Sequence, residues 1–260
     1  MLEKYSRQKD KLFQAINIIE ALLSKYQEKE LIELIKEQES KLKKSQFNLV
    51  VLGQFKRGKS TFINALIGEE VLPTSVLPLT AIITRLGFAE QKRAEVIFLD
   101  GRREEIHLSE LGRYITETAN SKNKKGVKEV QVYYPSLLLK EGVVLVDTPR
   151  IGSIHENNTQ VTKRYLKYAD VTVFVLAVDP PMIKEEVDFL TTVKETTDKM
   201  VFVLNKIDTV GDSEQQEILD FSRKLIQEEI GMDKAVVYPL KAKKALKESF
   251  SANKQHLQFM

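Results

Sequence analysis

A glycine-rich loop at residues 53–61, GQFKRGKST, carries the residue types that bind phosphate. Gly53 and Gly58 stand at the spacing of a phosphate-binding loop and are followed directly by Lys59 and Ser60. Backbone N–H groups of such a loop, wrapped on a helix N-terminus, converge on phosphate oxygens. The lysine would neutralise the β and γ phosphates, and the serine hydroxyl would ligate Mg²⁺. We expect the loop to bind a nucleotide through Gly53, Gln54, Phe55, Lys56, Arg57, Gly58, Lys59, Ser60 and Thr61.

The tetrapeptide Asn-Lys-Ile-Asp at residues 205–208 indicates which base the nucleotide carries. It ends a strand-like apolar run and follows the phosphate loop by about 150 residues. The Asp208 carboxylate can accept hydrogen bonds from both the N1–H and the exocyclic amine of guanine, and adenine offers no such pair of donors. We expect Asn205 to tie this base loop to the phosphate loop, and the Lys206 stem to lie over the purine. The motif therefore predicts GTP or GDP as the ligand.

A lysine-rich turn within residues 237–246, VYPLKAKKAL, follows the next strand-like run. A guanine site needs a backbone N–H for the base oxygen at this place. Ala242 and Lys243 fit the end of the usual Ser-Ala-Lys turn, although its first position is Lys241 here. We expect Ala242 and Lys243 to contact the base. A solvated helix face is the alternative for the lysines, and both descriptions can hold.

The stretch 143–153, VVLVDTPRIGS, reads as a buried strand that ends at Asp147. The chain continues through Thr148 and Pro149, and it carries Arg150 where a nucleotide switch would have a flexible glycine.

Strand-like and helix-like segments alternate after residue 46, which predicts an α/β domain with a mixed, mostly parallel sheet flanked by helices. Helical segments are expected around residues 59–68, 156–168, 182–194 and 213–231. Runs rich in β-branched residues read as strands at 47–53, 81–88, 93–101, 127–134, 142–147, 171–179, 199–206 and 235–240. Asp100-Gly101 predicts a hairpin turn, which makes part of the sheet antiparallel.

Residues 1–45 contain no glycine or proline and read as helix. An apolar stripe runs along this segment, formed by Leu12, Ile16, Ile19, Leu23 and Tyr26. After the polar YQEKE the stripe continues in a shifted frame, which predicts a second helix or a bent first one. The stripe either packs on its own domain or joins a bundle that other helices complete.

Composition and charge exclude several classes of protein. The 260 residues carry a formal net charge of only +3, so charge alone does not indicate a nucleic-acid partner, and none is expected. No apolar run approaches the ~20 residues of a membrane span, and the first residues do not form a secretory signal, so we expect a cytoplasmic protein. The absence of cysteine excludes disulfides, thiolate zinc sites and a cysteine nucleophile.

Four stretches together resemble the GTPase domain of bacterial dynamin-like proteins, within the dynamin superfamily. They are GQFKRGKSTFINALIG, VLPLTAIITR, VDTPRIGSIHENNT and NKID, and the similarity covers about residues 46–250. The resemblance implies a GTPase that forms homodimers across its nucleotide sites and remodels or fuses membranes, with peripheral membrane association. It also implies that residues 1–45 form a neck and that 251–260 begin a missing neck or stalk helix. We therefore expect a fragment or a minimal version, with stalk-bearing or other partner chains.

The resemblance also implies roles for individual residues. Thr80 is the candidate for the first switch, where it reaches Mg²⁺ when the γ phosphate is present, and Thr74 and Thr84 lie nearby. Lys56 occupies the loop position where related proteins place a group that neutralises developing charge, and Phe55 would face the dimer partner. The implied catalytic residues are Lys56, Lys59, Ser60 and Thr80. The implied metal-binding residues are Ser60, Thr80 and Asp147, of which Asp147 would hold Mg²⁺ through a water molecule.

The segment after Pro149 departs from the family pattern. Arg150 replaces the switch glycine, whose amide meets the γ phosphate. We expect binding to survive and switching to be impaired, although the guanidinium could instead pair with phosphate. Ile151 cannot orient the attacking water, and we expect His155 to be exposed. Two alternatives to a membrane-remodelling GTPase follow: an interaction module with impaired hydrolysis, and a ribosome-assembly GTPase, for which no RNA-binding module is recognisable.

Overall fold

The computed structural model describes residues 2–44, 46–54, 56–74, 82–149, 165–197, 199–233 and 235–249. The chain forms two compact units, a helical unit that ends at Phe47 and a larger unit that begins at Asn48. In the described residues, no helix combines the length and the apolar character needed to cross a membrane.

The helical unit contains two helices, α1 (Leu2–Lys25) and α2 (Lys29–Lys44). The chain turns between them at Gln27, whose φ of 59° is left-handed. The structure divides the apolar stripe predicted for α1, because Ile16 and Leu23 are half-buried while Ile19 is exposed. Among the side chains of α1 that the structure describes, from Lys11 onwards, the large exposed apolar ones are Leu12, Ile18, Ile19 and Leu22.

The larger unit is built on a sheet of nine described strands, with helices on both faces. The strands are β1 (Phe47–Leu52), β2 (Thr84–Phe88), β3 (Arg93–Phe98), β4 (Arg103–Ile106), β5 (Val127–Tyr134), β6 (Val143–Asp147), β7 (Val171–Ala177), β8 (Met200–Asn205) and β9 (Val237–Leu240). Their order in the sheet is β4-β3-β5-β2-β6-β1-β7-β8-β9. The helices of four residues or more that lie within the described residues of this unit are α3 (Lys59–Ile67), α4 (Gly112–Ile115), α5 (Leu137–Lys140), α6 (Lys184–Lys194), α7 (Asp212–Ile230) and α8, residues 242–249. This architecture confirms the predicted mixed sheet flanked by helices.

Strand direction differs between the two sides of the sheet. The pairs β1–β7, β7–β8 and β8–β9 are parallel. The hairpin predicted at Asp100-Gly101 is confirmed, since β3 and β4 pair antiparallel across Gly101. Pairing of β2 with β6 is also antiparallel and places Thr84 opposite Asp147.

Alternation along the central strands explains why their sequences are almost continuously apolar. In β1, Val51 packs into one buried cluster, which also contains Phe62 of α3. Its neighbour Val50 packs into a second cluster, which contains Leu190 of α6 and Ile226 of α7. Both faces of the sheet are therefore covered, as parallel sheets require.

A buried asparagine fixes the chain that follows α3. Asn64 has 0% exposure, and its Nδ2 donates to Leu72 O at 2.8 Å. Its Oδ1 accepts hydrogen bonds from the N–H groups of Val71 and Leu72, at 3.2 and 2.8 Å. Both backbone groups of Leu72 are thereby held by one side chain of the helix that begins at the phosphate loop.

Carboxylates placed on the exposed apolar residues of α1 should weaken self-association of the protein. Uncovered apolar side chains on one helix gain stability when another surface covers them, so the unmodified chain should self-associate or bind a hydrophobic dye. Ile19→Glu combined with Leu22→Glu should shift sedimentation towards the monomer without unfolding the larger unit.

The matched control is Gln14→Glu with Asn17→Glu, which adds the same charge at exposed polar positions of α1. It should leave association unchanged. An unmodified chain that stays monomeric at high concentration and binds no dye would contradict this interpretation of α1.

Candidate functional site

The candidate site lies at the carboxyl edge of the parallel strands. Because β1, β7, β8 and β9 run in one direction, the loops that follow them meet at the same edge of the sheet. Clefts at this edge are where open α/β sheets bind ligands. The predicted phosphate loop follows β1, and the Asn-Lys-Ile-Asp segment ends β8.

The phosphate loop takes a conformation that only glycine permits at two positions. The φ angles of Gly53 and Gly58 are 144° and 93°. A Cβ atom on Gly53 would lie 2.5 Å from Val175 O, and one on Gly58 would lie 2.4 Å from Asn205 Nδ2. The loop is thus packed against β7 and β8, and it leads directly into α3 at Lys59.

Lys59 and the first turn of α3 supply the groups that suit a phosphate ligand. The Lys59 side chain is buried, and its Nζ donates to Gly53 O at 2.8 Å, across the loop. The N–H groups in the first turn of any α-helix lack intrahelical partners and attract anions. Phe62 N, which bonds to Gly58 O at 2.8 Å, marks the point where the helical ladder begins.

A hydroxyl and a carboxylate meet beside this helix. Ser60 Oγ donates to Asp147 Oδ2 at 3.1 Å, and Asp147 is buried at the end of β6. Thr148 fixes the end of β6, since its Oγ1 donates to Val51 O at 2.8 Å. A hydroxyl and a carboxylate are oxygen ligands of the kind that Mg²⁺ prefers, so this pair fits the metal predicted from the sequence.

The side-chain amide of Asn205 joins three loops. Its Nδ2 donates to Arg57 O of the phosphate loop at 3.0 Å, which is the link predicted from the sequence. Its Oδ1 accepts the N–H of Ala242 at 3.2 Å, at the start of α8. The phosphate loop, the base loop and the turn after β9 therefore form one hydrogen-bonded unit.

The base loop places a lysine in positive surroundings. Lys206 has a φ of 63° and is followed by a short 3₁₀ turn, Ile207–Thr209, that contains the exposed Asp208. Partial burial of the ammonium lowers the pKa of Lys206 below that of an ordinary lysine, and the positive charges of Arg57 and Lys56 lower it further. The structure leaves Asp208 accessible to a ligand.

The structure shows a side-chain contact of one loop residue that the sequence did not predict. Arg57 was predicted to belong to the nucleotide-binding loop, and its side chain is buried. Its guanidinium donates to both carboxylate oxygens of Glu186, at 2.9 and 2.6 Å, and to Pro180 O at 2.7 Å. A contact of the Arg57 backbone with the nucleotide stays a prediction.

Glu186 is the main site residue that the sequence did not reveal. It lies 129 positions from Arg57, in a helix whose existence was predicted but whose partner was not. The one local signal is its position at the start of α6, where its Oε2 accepts the N–H of Ile183 at 3.1 Å. An acidic residue there predicts a helix cap and says nothing about a distant arginine.

The remaining predicted residues divide into described and undescribed ones. Phe55, Thr80, Arg150, Ile151 and His155 lie outside the described residues, and their assignments stay predictions. The two alternatives to Thr80 are described: the Thr74 hydroxyl donates to Glu70 at 2.6 Å, and the buried Thr84 hydroxyl donates to Ile82 O at 3.5 Å. Lys56 and Lys243 are exposed, and Gln54 and Thr61 are half-buried.

Comparison with known proteins identifies relatives of this chain. A family model described as the dynamin family matches residues 49–207. An uncharacterised protein encoded in the xynA 3′ region of Caldicellulosiruptor sp. is 43% identical over 218 residues, which cover 84% of this chain and 54% of that protein. The bacterial dynamin-like protein of Nostoc punctiforme is 32% identical over 183 residues, which cover 66% of this chain and 26% of that protein.

A solved structure of an oligomerised bacterial dynamin pair has a similar fold. It matches with a TM-score of 0.66 and 20% identity, over 94% of this chain and 40% of that chain. This chain thus spans about half the length of the Caldicellulosiruptor protein and about a quarter of that from Nostoc punctiforme.

Two constraints require glycine at position 58, its left-handed φ and its close contact with the Asn205 amide, and substitutions can separate them. Gly101 has a similar φ of 88° but nothing within 4 Å of an added Cβ. Gly101→Ala should therefore cost only the left-handed strain, about 1–2 kcal/mol of unfolding free energy. Gly58→Ala should cost a further ~1–3 kcal/mol, because its Cβ collides with the Asn205 amide.

Urea denaturation of both variants measures the difference. Gly87→Ala is the control without either constraint, since its φ is not left-handed and its added Cβ meets nothing within 4 Å. Equal losses for Gly58→Ala and Gly101→Ala would show that the Asn205 amide moves aside at no cost.

Proposed function

The chain belongs to the dynamin family, and we propose that its larger unit binds GTP and GDP with Mg²⁺ and hydrolyses GTP to GDP and phosphate. The observation that carries the proposal is the Asn205 amide, which joins the phosphate loop to the base loop through Arg57 O. This hydrogen bond holds the loop after β1 beside the loop after β8, which supports one site for the phosphates and the base of a nucleoside triphosphate.

In the proposed mechanism, backbone N–H groups at the start of α3 and the Lys59 ammonium hold the phosphates. Ser60 would hold the metal directly, and Asp147 would hold it through water. When bound, Mg²⁺ would neutralise charge on the β and γ phosphates. Asp208 would accept the two donors of guanine, and the Lys206 stem would cover the purine. In the turn of Ala242 and Lys243, the Lys243 N–H would serve the base oxygen, because the Ala242 N–H donates to Asn205 Oδ1.

The proposal extends to the other residues assigned from the sequence. Thr80 would reach the metal when the γ phosphate is present, and Lys56 would neutralise charge that develops during hydrolysis. Lys56 is exposed and follows directly after Phe55, which we assign to the dimer contact.

We also propose that the protein works as a homodimer through its larger unit and attaches peripherally to membranes from the cytoplasm. Support comes from the relatives: a chloroplastic protein of Arabidopsis thaliana, 31% identical over 206 residues, is described as a probable transmembrane GTPase. The bacterial dynamin pair is described as sensing and tethering membranes. The same proposal assigns residues 1–45 to a neck. This chain spans only part of the length of those proteins.

A second candidate function is a nucleotide-dependent interaction module with little turnover. Arg150 favours it, because a switch that needs a flexible residue there carries a long cationic side chain instead. GTP turnover at several protein concentrations distinguishes the two functions. Turnover that rises faster than the protein concentration supports dimer-driven hydrolysis, whereas binding with negligible turnover supports the interaction module.

The unmodified chain should bind GTP and GDP in the presence of Mg²⁺ and discriminate against ATP. Lys59→Ala should weaken the binding of either nucleotide. Asp208→Asn should reduce the preference for guanine by about 1–3 kcal/mol, the cost of leaving a donor of the bound guanine unpaired. Lys224→Ala, which removes an exposed lysine of α7, is the matched control and should change nothing. Equal affinity of the unmodified chain for ATP and GTP would contradict the proposed function.

Arg150→Gly should raise GTP turnover by roughly two- to fivefold, the scale of the backbone freedom that glycine restores. The amide after Pro149 must approach the γ phosphate, and glycine restricts that approach least. Turnover is compared at saturating GTP and matched dimer fraction, and GTP affinity should stay unchanged. A large fall in turnover would instead make Arg150 a catalytic cation that stabilises the transition state.

A further inference from the structure

A buried ion pair ties the phosphate loop to the helix that follows β7. Arg57 is 5% exposed and Glu186 is 0% exposed. The guanidinium meets the carboxylate with two hydrogen bonds, Nε to Oε1 at 2.9 Å and Nη2 to Oε2 at 2.6 Å. Two-armed contacts of this kind fix orientation as well as distance, which a lysine could not do.

The same two side chains also fix the connection between β7 and α6. Arg57 Nη1 donates to Pro180 O at 2.7 Å, near the start of this connection. Glu186 Oε2 accepts the N–H of Ile183 at 3.1 Å, at the beginning of α6. The connection is therefore held to one residue of the phosphate loop at both of its ends.

The backbone of Arg57 connects this ion pair to the base loop. Its carbonyl accepts the Asn205 amide at 3.0 Å, so the residue that pairs with Glu186 also contacts the base loop. Its neighbour Gly58 lies so close to Asn205 Nδ2 that even a Cβ would collide. A shift of Arg57 therefore has to move the contact between the phosphate loop and the base loop.

The charge of Arg57 is already matched by Glu186. Three of its N–H groups donate to protein oxygens, two of them on a carboxylate. Removing either partner would leave the other as an uncompensated buried charge, which relaxes by local rearrangement. The pair therefore holds the loop in shape and does not present a cation to the phosphates.

We propose that Arg57 is a positioning residue, which acts through Glu186 and Asn205 to hold the phosphate loop and the base loop in a fixed relative position. Phosphate affinity and guanine selectivity then depend on the same buried ion pair. This role rests on the proposed binding of guanine nucleotides.

The test measures dissociation constants of fluorescent GDP and ADP, with Mg²⁺, well below the unfolding temperature. Arg57→Met and Glu186→Gln should each weaken GDP binding by roughly two- to thirtyfold, the range expected for residues that couple sites. Each should also lower the ratio of GDP to ADP affinity, because ADP does not use the guanine contacts. Arg57→Lys should lose less GDP affinity than Arg57→Met.

The double variant Arg57→Met with Glu186→Met removes both charges, so it leaves no unpaired buried ion and is the form that tests the role if a single variant does not fold. The double variant should lose less binding free energy for GDP than the sum of the losses of the two single variants. Arg223→Met is the matched control, since Arg223 pairs with Asp220 at 2.7 Å on the exposed face of α7. It should leave both affinities unchanged.

Two results would overturn the positioning role. Tighter GDP binding by Glu186→Gln would show that Arg57 serves the phosphates by its charge once it is released. An unchanged ratio of GDP to ADP affinity in the folded variants, with only a lowered melting temperature, would show a role in stability alone. An unmodified chain that binds GDP no better than ADP would refute the proposed function itself, and the positioning role with it.

Discussion

The side-chain amide of Asn205 is the contact on which the rest of the site depends. Its Nδ2 donates to Arg57 O, and its Oδ1 accepts the N–H of Ala242. A buried amide of this kind is stable only when its partners stay in place, because unpaired polar groups in the interior are costly. The requirement explains why position 58 is a glycine and why the turn after β9 begins where it does.

The sheet supplies the frame that this contact needs. Parallel pairing of β1, β7 and β8 brings the phosphate loop and the base loop to one edge, although about 150 residues separate them. Burial on both faces leaves these strands little freedom to shift, since Val50 and Val51 pack into different clusters. Rigid strands with functional loops at their ends are the usual way in which α/β folds position a ligand.

The sequence predicted those parts of the fold that depend on local patterns. Strands with continuous apolar runs, the hairpin at Asp100-Gly101 and the glycines of the phosphate loop are all set by neighbours in the chain. The antiparallel pairing of β2 with β6 could not be predicted, because strand order follows from packing between distant segments. The division of the α1 stripe was missed because helical spacing alone does not show which apolar positions are covered.

Within the site, residue types were easier to predict than their partners. Contacts of Ser60 with Asp147 and of Arg57 with Asn205 join positions that the motifs had singled out. Their part in binding a nucleotide stays a prediction. Glu186 could not be found, because nothing in a helix-capping glutamate distinguishes one that also pairs with a buried arginine 129 residues away.

The Asn64 clamp has a consequence for how the chain can vary. The Asn64 side chain holds Leu72 through both its N–H and its carbonyl, so the end of the segment that follows α3 is bonded to α3 itself. Insertions or deletions beyond Leu72 would not be transmitted back through the backbone to the helix that begins at Lys59. Insertions near the exposed Thr74 should therefore leave the geometry of the phosphate loop unchanged.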